Sequence, residues 1–502
     1  MGNTLLFFGF FLLLASSPGH SRKIEEEKPT EGLIQLNDAN FLGTMAELAQ
    51  SYDWVLVEFY SHWCPACKAF QPDYKKVATH IHNIIQEEDR SWAGENGERP
   101  VKLAVARIDC PENKKLCDDF EISKYPTMFL DRPVRFSSKT LSDMVEIDPK
   151  PRSKNGVITE LEKKLGRTLA TPTLRVGDIA PGEGGPTVGD GEVGELVPVV
   201  LDLKSTSTVS DIDSDILGAT IESFEYLKSR TLLKGKTARK ALVDWISLLE
   251  SSHINTKCRI GAKSALETLE SAWPSSVNEI QDFDSFQNVQ ICGASKHDDW
   301  VSCQGSYEGS RGYTCGLWML FHSLSVRMPE SSETAGQDWL TVIKEFVHSF
   351  FQCKDCAEHF LEGANSVDAK SVVSKRDAIL WLWKMHNKVN KRLSEEMDEA
   401  GKGDPKFPHV QWPTNDMCTD CMFESSWNED KVYNFLFDHY QGDHVQSSMM
   451  SGGKSISVQS KQGSSWRQVS FILGGIMAFI YYYLSRSRQY AIKKAIRPIN
   501  KD

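Results

Sequence analysis

A Cys-x-x-Cys motif that follows an apolar run narrows the possible folds of this chain more than any other feature. The motif Cys64-Pro-Ala-Cys67 lies just after the strand-like run Trp54–Tyr60, and apolar residues at helical spacing follow it from Lys68 to Gln86. A strand that leads into a helix places the first cysteine at the helix N-terminus, where free N–H groups and the positive end of the dipole stabilise a thiolate. The second cysteine, one turn further on, is placed to close a disulfide. The pattern predicts a redox-active dithiol on an α/β scaffold.

Residues 33–166 alternate strand-like and helix-like runs, which is typical of an α/β domain with a central sheet. Further strand-like runs cover Val101–Ile108 and Thr127–Leu130. A purely structural role for the motif is disfavoured because a disulfide that closes so short a loop stabilises little. Zinc is disfavoured because Cys110 and Cys117 do not provide standard ligand spacing. We expect those two cysteines to pair with each other.

A second motif, Cys353-Lys-Asp-Cys356, lies in a block rich in Trp, His and Cys from about residue 300 to 440. Two predicted helices of this block, Arg311–Arg327 and Ala378–Arg392, each gather aromatic and polar residues on one face. The first face consists of Cys315, Trp318 and His322, and the second of Trp383, His386, Asn387 and Asn390. A core helix would carry aliphatic residues there. Beside a redox motif, such faces predict a pocket for a large, planar, polar ligand.

Zinc coordination is the main alternative for this block. Cys353 and Cys356 form one Cys-x-x-Cys pair and Cys418 and Cys421 another, and two such pairs are compatible with Zn²⁺. However, the 61 residues between the pairs exceed the usual spacing, and the aromatic and histidine faces would have no explanation. The sequence therefore predicts no metal site.

The remaining segments are organised around these two motifs. At 502 residues the chain is long enough for several domains, and its net charge of −11 gives no sign of a nucleic-acid partner. Residues 167–210 are rich in Gly and Pro and are predicted to be a flexible linker, and 441–468, rich in Ser, Gly and Gln, a flexible stalk. Residues 211–292 are predicted to be helical. The predicted helices are Ala219–Leu233, Ala238–Leu249 and Gly261–Ala272.

Both ends of the chain indicate the secretory pathway. Residues 1–21 contain an apolar core followed by small residues, which predicts a signal peptide; an N-terminal membrane anchor is the alternative. Residues 469–484 are uncharged and precede a basic tail, 485–502, which predicts one transmembrane helix and a cytoplasmic tail; a buried helix or hairpin is the alternative. We therefore expect a single-pass membrane protein of the Golgi, endoplasmic reticulum or cell surface, with its cysteine-rich domains luminal or extracellular, where disulfides persist.

The residues around the first motif resemble the thioredoxin and protein disulfide isomerase family. The resemblance rests on Trp63 before the motif and on the segment Lys124-Tyr125-Pro126-Thr127. It implies that Pro126 is cis and lies against the active disulfide. It also implies that Glu58 is a buried acid that helps proton transfer to Cys67.

The block 300–440 resembles the Erv/ALR family of flavin-dependent sulfhydryl oxidases. The matching motifs are Arg311-Gly-Tyr-Thr-Cys-Gly-Leu-Trp318-x-x-x-His322, Phe351-x-Cys353-x-x-Cys356-x-x-His359-Phe360, Trp383-x-x-His386-Asn387-x-Val-Asn390 and Phe407-Pro-x-x-Gln-Trp412-Pro. Joined to one N-terminal thioredoxin domain with the dipeptide Pro-Ala between its cysteines, the block resembles the plant form of the quiescin sulfhydryl oxidases. In these enzymes a degenerate helical domain packs on the flavin domain, and 211–292 corresponds to it.

The resemblance implies that FAD lies within a four-helix arrangement. The residues implied to contact FAD are Arg311, Trp318, His322, Asp355, His359, Trp383, Lys384, Met385, His386, Asn387, Lys388, Val389, Asn390, His409 and Trp412. His409 departs from the family pattern, because many relatives carry lysine there. The implied structural disulfides are Cys303–Cys315 and Cys418–Cys421, and Cys258–Cys292 is the remaining pair.

The resemblance implies a thiol oxidase that introduces disulfides into reduced secretory proteins or peptides. Electrons would pass from Cys64/Cys67 to Cys353/Cys356, then to FAD, and finally to dioxygen with release of hydrogen peroxide. One alternative is a disulfide isomerase or reductase with a flavin-free helical domain, and another is a zinc-stabilised membrane adaptor. Which cysteine of the first motif transfers to Cys353 stays open.

Overall fold

The computed structural model describes residues 29–91, 102–139, 144–169, 209–297, 299–306, 310–330, 332–399, 404, 406–423 and 426–441. The predicted signal peptide, most of the linker, and the predicted stalk, transmembrane helix and basic tail lie outside these residues. Within the described part of the chain, no helix is long and apolar enough to cross a bilayer.

The first domain is built on a five-stranded sheet flanked by helices. Its elements are β1 (Leu33–Leu36), α1 (Phe41–Ser51), β2 (Trp54–Tyr60), α2 (Pro65–Ser91), β3 (Leu103–Asp109), α3 (Lys114–Asp119), β4 (Thr127–Asp131), α4 (Pro133–Ser137), β5 (Val145–Glu146) and α5 (Lys154–Leu165). The strand order is β1-β3-β2-β4-β5, with β1, β3 and β2 parallel and β4 antiparallel to both β2 and β5. This topology confirms the predicted thioredoxin fold.

Burial on both faces of the sheet explains why β2 is a continuous apolar run in the sequence. Val57 and Phe59 pack in the same core cluster as Phe41 of α1, whereas Leu56 packs in the other cluster with Tyr74 of α2. Pro65 begins α2, a position where its missing N–H costs nothing. The end of β2 and the start of α2 are thereby fixed by the core on either side of the first cysteine motif.

Two helical regions follow the thioredoxin domain. The first contains α6 (Val209–Leu227), α7 (Lys236–Ser252), α8 (Thr256–Ala272) and α9 (Phe283–Gln287). The second contains α10 (Gly312–Arg327), α11 (Ala335–Phe350), α12 (Lys354–Ala364), α13 (Val367–Lys370), α14 (Lys375–Glu399), β6 (Met422–Phe423), β7 (Ser426–Trp427) and α15 (Glu429–Tyr440). Helix α6 packs against α10 and α7 against α11, where Trp245 and Phe346 stack with ring centroids 4.0 Å apart. The first helical region therefore packs on the second.

Helix α6 begins and ends earlier than the sequence pattern indicated. The pattern predicted Ala219–Leu233, whereas the helix covers Val209–Leu227. The acidic first half of the helix resembles a loop in the sequence. In the structure Asp215 is buried, and the Asp215 carboxylate accepts hydrogen bonds from the N–H groups of Val301 at 2.9 Å and Cys303 at 2.7 Å. This tertiary contact stabilises a polar helical turn that hydrophobic periodicity does not reveal.

Candidate functional site

The first cysteine motif lies where β2 leads into α2. The N–H of Cys64 donates to the carbonyl oxygen of Ser61 at 3.2 Å, and Cys67 lies in the first turn of α2. Both cysteines carry free thiols and are buried. The Tyr125–Pro126 peptide bond is cis, and the carbonyl oxygen of Tyr125 lies 4.0 Å from Cys64 Sγ. Cys64 is therefore the cysteine that lies against the segment before Pro126.

A buried carboxyl group lies on the strand that leads into this motif. Glu58 is fully buried on β2, and this burial raises the pKa of its carboxyl to about 7 even though the charge of Arg107 lowers it. Burial also raises the pKa of the Cys67 thiol well above its usual range, and the hydrogen bond from Cys64 and the charge of Glu58 add to the effect. A neutral thiol beside a carboxyl group that titrates near neutral pH is suited to proton transfer.

The second cysteine motif is oxidised and lies at the start of α12. Cys353 and Cys356 form a disulfide, and Cys353 occupies the position just before the first helical residue. Phe351 and Cys353 both have extended backbone conformations. Cys353 is buried and Cys356 is half-buried. A thiolate released at this helix N-terminus would be stabilised in the same way as at α2.

The two motifs meet at one interface. The N–H of Tyr125 donates to the carbonyl oxygen of Gln352 at 2.7 Å, and the N–H of Lys354 donates to the carbonyl oxygen of Tyr125 at 2.9 Å. Cys353 lies between these two hydrogen bonds, as an isolated β-bridge to Tyr125. Because Tyr125 also contacts Cys64, the structure brings both predicted redox motifs to the same residue.

Aromatic side chains surround Trp63, which directly precedes Cys64. Trp63 stacks on Tyr226 with ring centroids 5.2 Å apart and packs against Tyr313 at 5.0 Å and Phe351 at 5.6 Å. Only 4% of Trp63 is exposed. Tyr226 belongs to α6 and Tyr313 to α10, so both helical regions contribute to the interface with the thioredoxin domain.

Helices α10 and α14 bring their predicted polar faces together. The rings of Trp318 and His386 stack with centroids 4.4 Å and planes 2° apart, and His322 Nε2 lies 3.2 Å from His386 Nδ1. Burial lowers the pKa of His386 to about 3 and that of His322 well below its usual range, so both imidazoles are neutral near pH 7. Within the described residues, the buried Nδ1 of His322 has no hydrogen-bond partner. This neutral, flat surface with an unused polar atom suits a planar polar ligand.

The asparagines of α14 hold the segment that carries Trp412. Asn387 Nδ2 donates to the carbonyl oxygen of Trp412 at 2.7 Å, and the N–H of Trp412 donates to Asn387 Oδ1 at 2.8 Å. Trp383 Nε1 donates to the same carbonyl oxygen at 2.6 Å, and Asn390 Nδ2 donates to the carbonyl oxygen of Val410 at 3.0 Å. These side chains therefore act by positioning this segment beside α14.

Two family models match the chain, "Thioredoxin" over residues 32–145 and "Erv1 / Alr family" over residues 315–413. The chain is 31% identical over 456 residues to Sulfhydryl oxidase 2 of Arabidopsis thaliana, which covers 87% of this chain and 85% of that protein. It is 31% identical to Sulfhydryl oxidase 1 of Oryza sativa subsp. japonica, over 87% of this chain and 82% of that protein. This chain belongs to the sulfhydryl oxidase family. Sulfhydryl oxidase 2 of Homo sapiens is 44% identical over 164 residues, which are 30% of this chain and 23% of that protein.

As a sulfhydryl oxidase, the chain is a flavin-dependent thiol oxidase that introduces disulfides. Its thioredoxin domain precedes its Erv/ALR domain, which confirms the plant-type quiescin architecture that the motifs predicted. The disulfide isomerase with a flavin-free helical domain is not favoured.

The FAD contacts implied by the sulfhydryl oxidase resemblance stay a prediction, and the structure gives the surroundings of each residue. Asp355 forms an ion pair with Arg152 of the thioredoxin domain. His359 is exposed, as are Lys384 and Lys388, which lie one turn apart on the outer face of α14. Of the remaining members of the set, Met385 is buried, and Arg311, Val389 and His409 are half-buried.

The structural disulfides have the pairings expected above. The sulfhydryl oxidase contains the bonds Cys110–Cys117, Cys258–Cys292, Cys303–Cys315 and Cys418–Cys421. Cys303–Cys315 joins the segment before α10 to that helix, and Cys258–Cys292 joins α8 to the loop after α9.

Sequence reasoning missed the residues that join the thioredoxin domain to the rest of this sulfhydryl oxidase. Besides Arg152, they include Asp148, which accepts a hydrogen bond from Lys354 Nζ at 2.8 Å, and the aromatic residues around Trp63. Two of the missed residues, Phe351 and Lys354, flank Cys353 in a motif that was already recognised. Their proximity to that cysteine was the available signal.

Proposed function

We propose that this thiol oxidase works as an internal relay, from reduced protein substrates to Cys64–Cys67, then to Cys353–Cys356, and then to bound FAD with dioxygen as the final acceptor. The observation that carries the proposal is the backbone pairing of Tyr125 with Cys353, because it joins the two dithiols at one residue. The free thiols of Cys64 and Cys67 beside the disulfide of the second motif correspond to the step before the internal transfer.

The thiol chemistry of the relay is two successive disulfide exchanges. A substrate thiolate attacks Cys64 of the Cys64–Cys67 disulfide and releases Cys67 as a thiolate, which takes up a proton from its surroundings. A second substrate thiol then attacks the mixed disulfide, so the substrate leaves oxidised and the dithiol is left behind. That dithiol reduces Cys353–Cys356 in the same way. Glu58, with its pKa of about 7, is placed to hold the proton that Cys67 must lose and regain.

The residues that α10 and α14 bring together are chemically suited to the planar ring system of FAD. This suitability rests on the stacked, neutral rings of Trp318 and His386, on the Nδ1 of His322 that has no partner among the described residues, and on the Trp412 segment that hydrogen-bonds to Asn387. FAD bound there would supply the step from two-electron thiol chemistry to dioxygen. These residues would bind the ring system, and Cys356, which is half-buried, is the cysteine expected to face it.

The cellular setting is also a proposal, supported by the sequence alone. We expect cleavage of the signal peptide 1–21, a linker at 167–210 that lets the thioredoxin domain visit substrates, and one membrane span at 469–484. The natural substrates would then be reduced secretory proteins or peptides, and the steady-state pool would reside in the Golgi, the endoplasmic reticulum or at the cell surface.

The visible spectrum and oxygen consumption of the purified protein test the relay. We expect a yellow protein that oxidises both a reduced protein and small dithiols. A Cys64→Ser variant should lose turnover with the reduced protein and keep turnover with small dithiols that reach Cys353–Cys356 directly. The matched control is the Cys418→Ser, Cys421→Ser double variant, which should oxidise both the reduced protein and small dithiols. A colourless protein, or equal activity of Cys64→Ser on reduced proteins, would contradict the proposal.

A further inference from the structure

The segment before α12 crosses the thioredoxin domain in the manner of a bound peptide. Phe351 and Cys353 have extended backbone conformations, and the segment forms two hydrogen bonds with Tyr125. Lys124 Nζ adds a third contact by donating to the carbonyl oxygen of Phe351 at 2.9 Å. All three contacts use backbone atoms of the segment, so a segment of any sequence can make them.

A substrate segment must use the same cleft. Disulfide exchange requires the incoming sulfur to approach Cys64 along a defined direction, because it displaces the sulfur on the far side. Tyr125 borders that approach, since its carbonyl oxygen lies 4.0 Å from Cys64 Sγ. If the proposed relay is correct, a substrate cysteine therefore takes the place that Cys353 occupies, and its neighbours take the places of the residues around Cys353.

Two side chains of the internal segment make specific contacts with the thioredoxin domain. Phe351, two residues before Cys353, packs against Trp63 with ring centroids 5.6 Å apart and is only 8% exposed. Lys354, directly after Cys353, donates to Asp148 Oδ2 at 2.8 Å. Although burial raises the pKa of Asp148, the hydrogen bond from Lys354 and the charge of Arg152 outweigh it, and the pKa lies below its usual range. Asp148 is therefore ionised near neutral pH while it is paired with Lys354.

We propose that the thioredoxin domain of this oxidase selects substrate cysteines in extended segments that carry an aromatic residue two positions before the cysteine and a basic residue directly after it. Trp63 recognises the aromatic side chain and Asp148 the basic one, while Tyr125 and Lys124 hold the backbone. The internal segment Phe351-Gln-Cys353-Lys354 is thus the template for the preferred substrate.

A panel of reduced peptides tests this specificity with the full-length, flavin-loaded protein. Each peptide contains two cysteines, so that the second closes the disulfide, and the first lies in the sequence Phe-Gln-Cys-Lys. The comparison peptides replace Phe by Ala, replace Lys by Glu, or move Phe to the far side of the second cysteine at constant composition. The quantity measured is kcat/KM for oxygen uptake minus the value for the Cys64→Ser variant, a subtraction that removes direct reduction of Cys353–Cys356; in a ping-pong reaction the difference reports the step between peptide and oxidised Cys64–Cys67.

We expect kcat/KM to fall roughly 3- to 10-fold when the aromatic residue is removed or moved, the range for one aromatic contact. Replacing Lys by Glu should lower kcat/KM about 2- to 5-fold, because the pair with Asp148 is partly exposed to solvent. Lysine also lowers the pKa of a neighbouring thiol, which raises reactivity with any disulfide. An Asp148→Lys variant separates the two effects, since the Lys-over-Glu preference should disappear or reverse there while the aromatic preference remains.

The outcomes distinguish this proposal from the relay on which it rests. Equal kcat/KM values across the panel, with a working enzyme, would overturn the specificity and leave the relay intact. A Lys-over-Glu preference that is the same in the Asp148→Lys variant would overturn the role of Asp148. The role of Trp63 is tested on the unaltered protein, by comparing peptides that keep the aromatic residue with those that lack or move it. Turnover with small dithiols but with no peptide or reduced protein would refute the relay itself, and the specificity with it.

Discussion

Burial, more than local sequence, sets the acid–base behaviour of the residues around Cys67. The carboxyl group of Glu58 lies on a strand whose other inward residues are apolar, and Arg107 Nε is 3.6 Å from its Oε2, too far for a strong hydrogen bond. Neither carboxyl oxygen has a hydrogen-bond partner among the described residues. A buried carboxyl group without hydrogen-bond partners lowers the stability of the fold, and a group perturbed in this way is typical of a functional site.

Glu58→Gln should slow oxidation of reduced proteins. Since the amide cannot take a proton, we expect turnover near pH 8 to fall roughly 100-fold, at the low end of what general acid–base catalysis contributes. The increase in rate as the pH rises through about 7, where the Glu58 carboxyl ionises, should also disappear. Oxygen uptake measured from about pH 6 to 9 checks both effects. Glu47→Gln, at an exposed position of α1, is the control and should change neither.

The same substitution changes how stability depends on pH. Folded Glu58 keeps its proton up to about pH 7, whereas the unfolded carboxyl releases it near 4.5, so unfolding releases a proton between these values. The free energy of unfolding therefore falls through this group as the pH rises across that range. In the Glu58→Gln variant this decline in the free energy of unfolding should be absent. An unchanged pH profile of urea unfolding would show that the carboxyl is not perturbed.

At the scale of elements, each dithiol lies at the start of a helix, and those helices, α2 and α12, contact each other. The positions of both motifs could be predicted because the signal is local: a strand-like run before Cys64, and aromatic and histidine residues at helical spacing around Cys353. The contact between the two motifs could not be predicted, because it depends on residues far apart in the chain. Arg152 and Asp355, for example, are 203 residues apart. No periodicity connects residues at that separation, and the early start of α6 around Asp215 was missed for the same reason.

Close packing of α8 makes one glycine sensitive to substitution. A Cβ at Gly261 would lie 1.8 Å from the carbonyl oxygen of Ile291, in a segment held to the helix by the Cys258–Cys292 disulfide. We expect Gly261→Ala to destabilise the protein by about 1–3 kcal/mol, the usual cost of overpacking. Gly43→Ala on α1, where a Cβ meets nothing within 4 Å, should instead stabilise it by about 0.5–1 kcal/mol. Equilibrium unfolding in urea measures both, and a neutral Gly261→Ala would contradict the packing.

For the molecule as a whole, the interface between the thioredoxin domain and the helical regions determines whether the two dithiols can exchange electrons. It combines the aromatic cluster around Trp63 with ion pairs such as Lys354–Asp148 and with the backbone bonds of Tyr125. If substrates use the same cleft as the segment around Cys353, as proposed above, the thioredoxin domain has to leave this interface once in every catalytic cycle. The Gly- and Pro-rich sequence 167–210 fits that requirement.

The interface also predicts which cysteine hands over to Cys353. Tyr125 joins Cys64 to Cys353, whereas Cys67 lies within α2 with a thiol whose pKa is raised by burial, so it is a poor nucleophile at neutral pH. A Cys67→Ser, Cys356→Ser double variant should therefore form an intramolecular Cys64–Cys353 disulfide under mild oxidation, seen by non-reducing electrophoresis and peptide mass spectrometry. The matched Cys64→Ser, Cys356→Ser variant keeps Cys67 and should cross-link at least about tenfold more slowly, because little of its thiol is ionised. Equal rates in the two variants would mean that the thioredoxin domain docks in a different orientation during transfer.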